Sequence, residues 1–166
     1  MRDQPGLAKL VKGGAVQAED TPASPPRAVG REGVGLLAGI PLFEGLSRRH
    51  LERIASVAAT KRYAAGNPLV RTGQPATAFY VILDGRVRVD VPGRPVEFQA
   101  GDFFGEMALV DGEPRSATVT AVTDVYVMMI ARTKFLKVLE AEPKIALAIM
   151  ATLTRRVRAL TAAAAV

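Results

Sequence analysis

Apolar and polar positions alternate with a helical period at the start of the ordered sequence. Over residues 34–59 apolar side chains recur three and four apart, interrupted by the turn "IPLFEGL". Ser47 is a typical N-cap residue, and Leu46 and Leu51 flank it as a hydrophobic staple would. The pattern predicts a short helix, a turn that buries apolar side chains, and a second helix from Ser47 to about Ala59.

After Lys61 the period becomes that of β-strands. Short apolar runs are separated by glycines, and Val87 and Val89 alternate with charged residues. The pair Asp84-Gly85 between two such runs predicts a β-hairpin. Several short strands with regular turns, and without strand–helix–strand alternation, favour an antiparallel roll or barrel over a parallel α/β sheet.

The C-terminal part returns to helical spacing. Thr133 is predicted to cap one helix, and Pro143 is predicted to open a longer one as its first-turn proline. The apolar stripe predicted for this last helix consists of Ile145, Ile149, Leu153, Val157 and Leu160.

The predicted fold class is α+β, mainly β. It is an antiparallel eight-stranded β-roll, jelly-roll-like, flanked by N-terminal helices and two C-terminal helices. Residues 1–33 mix proline, glycine, serine and charge without an apolar period, which predicts a disordered tail. Residues 34–161 are predicted to form the folded domain, and residues 162–166 a frayed end.

Composition narrows the function classes. The chain has 166 residues, 49% of them hydrophobic but only 5% aromatic, so aliphatic side chains must fill one core. It has no cysteine and a single histidine, His50, which leaves no thiolate or histidine cluster for a metal. We expect His50 to be an exposed structural residue on the second helix, and we expect neither a metal nor a cofactor.

Charge and hydropathy add weaker expectations. The net charge is +6, but apart from Arg155, Arg156 and Arg158 the basic residues are scattered, so direct nucleic-acid binding is not expected. No run of about 18 apolar residues and no secretory signal is visible, so we expect a cytoplasmic location and no membrane span.

The candidate chemistry lies in "FGEMALVDGEPRSATV", residues 104–119. Gly105 permits a close backbone approach, the residues after it can form a helical turn with free amides, and Arg115 can bind a phosphate with paired hydrogen bonds. Glu106 would repel a bare phosphate but would accept a hydrogen bond from a neighbouring hydroxyl. The segment therefore indicates a sugar-phosphate site. The alternative is that Glu106 and Arg115 pair with each other.

Residues 104–119 resemble the phosphate-binding cassette of cyclic nucleotide-binding domains. "FYVILDGRVRV" and "PLFEGL" also resemble that family, and the likeness runs from about Val34 to Leu160. It is strongest to the cytoplasmic domain of bacterial cyclic nucleotide-gated potassium channels, and extends to kinase regulatory subunits and catabolite activator proteins.

The resemblance implies a role for each matching residue. Arg115 would clamp the exocyclic oxygens of the cyclic phosphate, and Glu106 with the Gly105 backbone would hold the ribose 2′-hydroxyl. The phosphate cradle would be completed by Ser116 and by the backbone amides of Met107, Ala108 and Ala117. Val89 and Val96 would contact the purine from the roll. Arg156 would cover it as a lid from the last helix, with Arg155 as the next choice. The alternative is that Arg156 only extends its charged end into solvent as a snorkelling arginine.

The resemblance implies a sensor, not an enzyme: a cyclic nucleotide binds in the roll and the last helix moves to signal an unidentified effector. Ser116 favours cAMP over cGMP, since members preferring cGMP often carry threonine there. Four alternatives stay open: a degenerate protein-interaction domain, a fragment of a channel, a transcription regulator and a cupin-type enzyme. The third is disfavoured because little sequence follows the last helix for a helix-turn-helix. The fourth is disfavoured because the chain has a single histidine. A homodimer is also left open.

Overall fold

Two antiparallel sheets form a roll in the computed structural model, which describes residues 27–30 and 33–165. The strands are β1 (Arg27–Ala28), β2 (Ala58–Tyr63), β3 (Pro68–Val70), β4 (Ala78–Asp84), β5 (Arg86–Asp90), β6 (Val96–Gln99), β7 (Phe103–Phe104), β8 (Thr118–Ala121) and β9 (Val125–Ala131). One sheet has five strands in the order β1-β2-β9-β4-β7, and the other has four in the order β3-β8-β5-β6. The predicted antiparallel β-roll is confirmed, although the described strands number nine and not eight.

Helices cover one side of the roll. They are α1 (Gly33–Ala38), α2 (Arg48–Val57), α3 (Glu106–Asp111), α4 (Arg132–Ala141) and α5 (Pro143–Ala164), with a 3₁₀ turn at Pro41–Phe43. The predicted cap at Ser47 is confirmed, because its side chain accepts a hydrogen bond from the His50 amide at 3.4 Å. The predicted opening of α5 at Pro143 is also confirmed. None of the described helices is both long and apolar enough to cross a membrane.

Aromatic stacking joins the helices to the roll. Phe79 of β4 and Phe135 of α4 are stacked with ring centroids 4.2 Å apart, and both are fully buried. Leu42 and Phe43 of the 3₁₀ turn enter the same core cluster, as the sequence predicted. This core fixes β4, which contributes the Ala78 carbonyl and the Tyr80 ring to the candidate site.

The predicted hairpin at Asp84-Gly85 is wrong. β4 pairs with β7 and β9, whereas β5 pairs with β6 and β8, so the two strands lie in different sheets. Gly85 has a φ of 88°, and a Cβ there would meet the carbonyl oxygen of Asp124. The Asp-Gly pair therefore turns the chain from one sheet to the other, where only glycine fits against the neighbouring backbone.

Three predicted boundaries also differ. Most of the predicted tail, residues 1–33, lies outside the described residues, but Arg27–Ala28 pairs with β2 and Val29 is buried, so the fold begins before Val34. α4 begins at Arg132 after Ala131, and Thr133 is not its cap. The predicted fraying of residues 162–166 is not seen as far as Ala164, where α5 ends.

The apolar stripe predicted for α5 is buried only in the first half of the helix. Ile145 and Ile149 are buried, but Val157 and Leu160 are 61% and 65% exposed. Twelve residues after Ile145, Val157 is rotated by about 120° from it, whereas Arg156 lies on the same side as Ile145. An arginine therefore takes the inward position that an apolar residue was predicted to take.

Candidate functional site

The segment predicted to bind an anion forms a corner between two elements. Phe104 ends β7, opposite Tyr80 of β4, and Glu106 begins α3. Gly105 joins them with a φ of 91°, a left-handed conformation that favours glycine. The chain then returns through residues 112–117 to β8, which brings Arg115 back to this corner.

Arg115 is buried at the centre of the site. Its side chain reaches β4, where Nη2 donates to the carbonyl oxygen of Ala78 at 2.6 Å. The guanidinium carbon lies 5.6 Å from the centre of the Tyr80 ring. Nη1 is buried as well, and it has no hydrogen-bond partner among the described residues. The arginine therefore carries a charged donor that the surrounding protein does not satisfy.

The backbone holds Arg115 in this position. Its amide donates to the Gln74 carbonyl and its carbonyl accepts from the Gly73 amide, both at 2.8 Å. Burial lowers the pKa of the Arg115 guanidinium, and the nearby Tyr80 and Glu106 side chains oppose that shift. The cost of burying a cation with an unpaired donor makes an external anion the natural partner for Nη1.

Gly105 is needed for the arginine to lie where it does. A Cβ at this position would lie 2.5 Å from Nη1 of Arg115 and 3.1 Å from the Ala78 carbonyl oxygen. Both distances are shorter than ordinary van der Waals contacts. The glycine thus gives the guanidinium its space, in addition to its unusual backbone conformation.

Glu106 is also buried, with 4% of its surface exposed. Burial raises the pKa of its carboxyl group. A hydrogen bond from its own backbone amide opposes that shift most, followed by the charge of Arg156 and then that of Arg115. Its ion-pair partner is Arg156, with Nη1 to Oε1 at 3.4 Å. The alternative in which Glu106 and Arg115 form an ion pair with each other is therefore wrong for this structure.

Arg156 reaches the site from α5. Its Nη2 donates to the Phe103 carbonyl oxygen at 2.9 Å. Its guanidinium carbon lies 4.4 Å from the ring centre of Phe98 and 4.9 Å from that of Phe103. Arg155, the next choice from the sequence, is exposed and donates to Thr152 of its own helix. Arg156, then, is the residue that α5 presents to the roll.

The remaining predicted residues lie around the same corner or on the neighbouring hairpin. Val89 is buried and Val96 is 37% exposed, and the two are paired in register across β5 and β6. In the return loop Ser116 is exposed and Ala117 is half-buried. Met107 and Ala108 belong to α3, and Met107 is 58% exposed. Their contacts with a ligand stay predictions.

Sequence reasoning missed four residues that shape the site. Phe98 could have been found, because it lies two residues after Val96 in β6 and shares its face. Tyr80 lies in an apolar run that carried no sign of a site, and Phe103 directly precedes the candidate segment 104–119 but was not singled out. The carbonyl of Ala78 had no signal in the sequence, since any residue supplies one.

No group of three or more acidic, histidine or cysteine side chains placed to hold a metal ion occurs in residues 27–30 and 33–165. His50 is not simply an exposed residue, because its Nδ1 lies 3.2 Å from Oε2 of buried Glu142 at the start of α5. This pair connects α2 with the junction of α4 and α5.

Comparison with known proteins is consistent with this geometry. Residues 60–142 match the family described as "Cyclic nucleotide-binding domain". A cyclic nucleotide-gated potassium channel of Rhizobium etli is 39% identical over 121 residues, which are 73% of this chain and 34% of the channel. A cAMP-dependent protein kinase regulatory subunit of Aspergillus fumigatus is 37% identical over 106 residues, which are 62% of this chain and 26% of the subunit. The chain thus spans about a third or less of these relatives.

Solved structures give the same result. The catabolite activator protein of Thermus thermophilus is 30% identical, with a TM-score of 0.64, over 73% of this chain and 60% of that one. The regulatory domain of Toxoplasma gondii protein kinase A, crystallised with cAMP, is 26% identical with a TM-score of 0.63, over 75% of this chain and 48% of that one.

Proposed function

The chain belongs to the cyclic nucleotide-binding domain family, and from that premise we propose that it is a cAMP-responsive regulatory module whose last helix carries the signal. Domains of this family regulate other activities and are not themselves catalytic. The ligand preference, the roles of the site residues and the movement of α5 are the parts we propose.

One observation carries the proposal. Arg115 is 5% exposed, its Nη2 is bonded to Ala78, and its Nη1 is buried without a partner in the described residues. A buried charged donor without an acceptor is costly, and a phosphate oxygen would satisfy it with a charge-assisted bond. We propose that Nη1 and Nε face the exocyclic oxygens of a cyclic phosphate.

The neighbouring carboxylate selects the rest of the ligand. Glu106 lies next to Gly105, and its buried carboxylate accepts hydrogen bonds but cannot donate them while ionised. A ribose 2′-hydroxyl beside the phosphate supplies the donor. This pairing favours a nucleoside phosphate over inorganic phosphate, which would be repelled.

The base would lie between the roll and α5. Val89, Val96 and Phe98 line the β5–β6 hairpin, and the Arg156 guanidinium already lies on the Phe98 ring. A guanidinium stacks on a purine in the same way. Ser116 favours cAMP over cGMP at this site.

Isothermal titration calorimetry with cAMP, cGMP and adenosine 5′-monophosphate tests the proposal. We expect saturable heat with cAMP, weaker binding of cGMP, and the weakest binding of the acyclic nucleotide, because its phosphate has a different charge and geometry. An absence of heat with all three would favour the alternative of a degenerate domain that binds a protein partner. We propose that the effector that responds to α5 is either part of a longer chain, such as a channel, or a separate protein.

A further inference from the structure

One side of α5 carries a second apolar surface, which the roll does not cover. Met150, Val157 and Leu160 are 61%, 61% and 65% exposed, although their side chains are large and hydrophobic. Residues of these types are usually buried in a folded protein. Three of them on one side of one helix indicate a contact with another surface.

The spacing of these residues is that of a coiled coil. Six apolar positions follow one another in steps of four, three, four, three and four residues, and we call them the seam: Ala146, Met150, Leu153, Val157, Leu160 and Ala164. In heptad notation they alternate between d and a positions. A repeat of 3.5 residues is the period at which two helices wind around each other. The surface that fits the seam is therefore another helix.

The roll and the seam occupy different sides of α5. Ile145, Ile149 and Arg156 face the roll. At 3.6 residues per turn, the centre of the seam lies about 80° around the helix axis from Arg156. A second helix can thus lie along the seam while Arg156 keeps its contact with Glu106.

The charges of α5 favour a second copy of the same helix as the partner. The helix Pro143–Ala164 contains no acidic residue. With Val157 at an a position, the cations Lys144, Arg155 and Arg158 take the outer b and f positions. Two identical helices therefore pair without bringing these like charges together.

The positions that select a different partner carry little charge. In coiled coils the e and g positions beside the seam form the salt bridges that set partner choice. Within α5 the one charged residue at these positions is Arg156, which is already paired with Glu106. Valine at an a position with leucine at the adjacent d positions, as in Leu153, Val157 and Leu160, favours two parallel strands.

We propose that two copies of this chain pair through the seams of their α5 helices, as a parallel two-stranded coiled coil. The seam spans fewer than three heptads, about 27 Å at the rise of an α-helix, so the dimer dissociates on dilution. The helix is already folded on the roll, and pairing does not have to order it. The inference does not require a ligand at Arg115. It identifies a partner for the helix that the proposed function treats as the output.

Sedimentation velocity over a dilution series of about a thousandfold measures the pairing. The mass of the wild type should rise from that of one chain toward that of two. Val157→Lys places a charge in the middle of the seam and should raise the dissociation constant by at least about 100-fold. Position 157 is exposed in the single chain, so the variant should keep the circular dichroism spectrum of the wild type. Ala151→Lys, at an exposed b position of the same helix, is the matched control and should dimerise as the wild type does.

Cross-linking tests the parallel register. The chain has no cysteine, so one introduced thiol has only its copy to react with. Leu160→Cys places the two thiols opposite each other at a d position, whereas Ala162→Cys places them at exposed f positions, far apart. Oxidised glutathione should cross-link the first variant and not the second, because a disulfide requires Cα atoms within about 7 Å.

The outcomes are distinct from those for the proposed function. A wild type that stays monomeric at the highest concentration, a trimer, a Val157→Lys variant that dimerises as tightly as the wild type, or equal cross-linking of the two cysteine variants would overturn the inference. If a dimeric wild type failed to bind cAMP in calorimetry, the proposed function alone would fail. If a wild type that binds cAMP stayed monomeric, the coiled coil alone would fail.

Discussion

Replacement of Gly105 by alanine separates the effect of backbone strain from the effect of the space that Arg115 needs. Gly105 has a φ of 91°, and an alanine there costs about 1–2 kcal/mol in strain alone. Its Cβ would also lie 2.5 Å from Nη1 of Arg115 and 3.1 Å from the Ala78 carbonyl oxygen. Relief of those contacts requires the guanidinium to leave Ala78, and the loss of that charged, buried hydrogen bond costs about another 1.5–3 kcal/mol.

Gly93 is a matched control for this variant. It has a φ of 89°, and a Cβ there would meet nothing within 4 Å. Gly93→Ala should therefore lose only the strain, about 1–2 kcal/mol of unfolding free energy. Gly105→Ala should lose about 2.5–5 kcal/mol of unfolding free energy in total, the sum of the two effects.

Urea unfolding followed by circular dichroism measures the difference between the two variants. We expect the midpoint of Gly105→Ala to lie well below that of Gly93→Ala at an unchanged slope. We also expect only Gly105→Ala to weaken cAMP binding, because only that variant displaces Arg115. Equal stability and equal affinity of the two variants would show that the glycine serves the turn alone, and the reasoning about space for Arg115 would fail.

Two further predictions concern the charged site and the core. Because burial raises the folded-state pKa of Glu106 above its ordinary value of 4.5, the folded protein binds that proton more tightly than the unfolded chain does. The resulting stability is fully present below pH 4.5 and is lost as the pH rises through the folded-state pKa. The unfolding free energy of the wild type minus that of Glu106→Gln should therefore fall as the pH rises above 4.5 in urea titrations, and a flat or rising difference would contradict the assignment. Phe135→Ala should lower the free energy of unfolding by about 3–5 kcal/mol, because it removes a fully buried ring stacked on Phe79. A loss below about 1 kcal/mol in thermal or urea unfolding would mean that this stack does not fix α4.

The predictions from sequence that held were those set by neighbouring residues. Ser47 caps α2 and Pro143 opens α5, because caps and first-turn prolines depend on the few residues beside them. The residue types and spacing of the segment from Gly105 to Arg115 are likewise contained in one short stretch, and the structure brings Gly105, Glu106 and Arg115 together at one corner, while their roles toward a ligand stay predictions. The antiparallel roll followed from the repeated short strands.

What the sequence could not predict depends on distant parts of the chain. Asp84-Gly85 has the composition of a hairpin turn, but the packing of Gly85 against Asp124 makes it a crossing between two sheets. By its spacing in the sequence Val157 continues the apolar stripe of α5. In the structure Val157 is exposed, and Arg156 is the residue that faces the roll. That Glu106 pairs with Arg156 and not with Arg115 follows from this tertiary arrangement, on which sequence spacing has no bearing.

The unpaired, buried donor of Arg115 is the basis of the proposed phosphate site. We therefore compare cAMP affinity by calorimetry for the wild type, for Arg115→Gln, and for Arg62→Gln as a control at an exposed arginine of β2 that lies 4.5 Å from the Tyr126 ring. Loss of the partner of a buried phosphate charge should cost about 2–5 kcal/mol, or about 30-fold to several thousand-fold in affinity, while Arg62→Gln should bind as the wild type does. If Arg115→Gln, still folded, bound cAMP as tightly as the wild type, Arg115 would not be the phosphate clamp and the central claim would be contradicted.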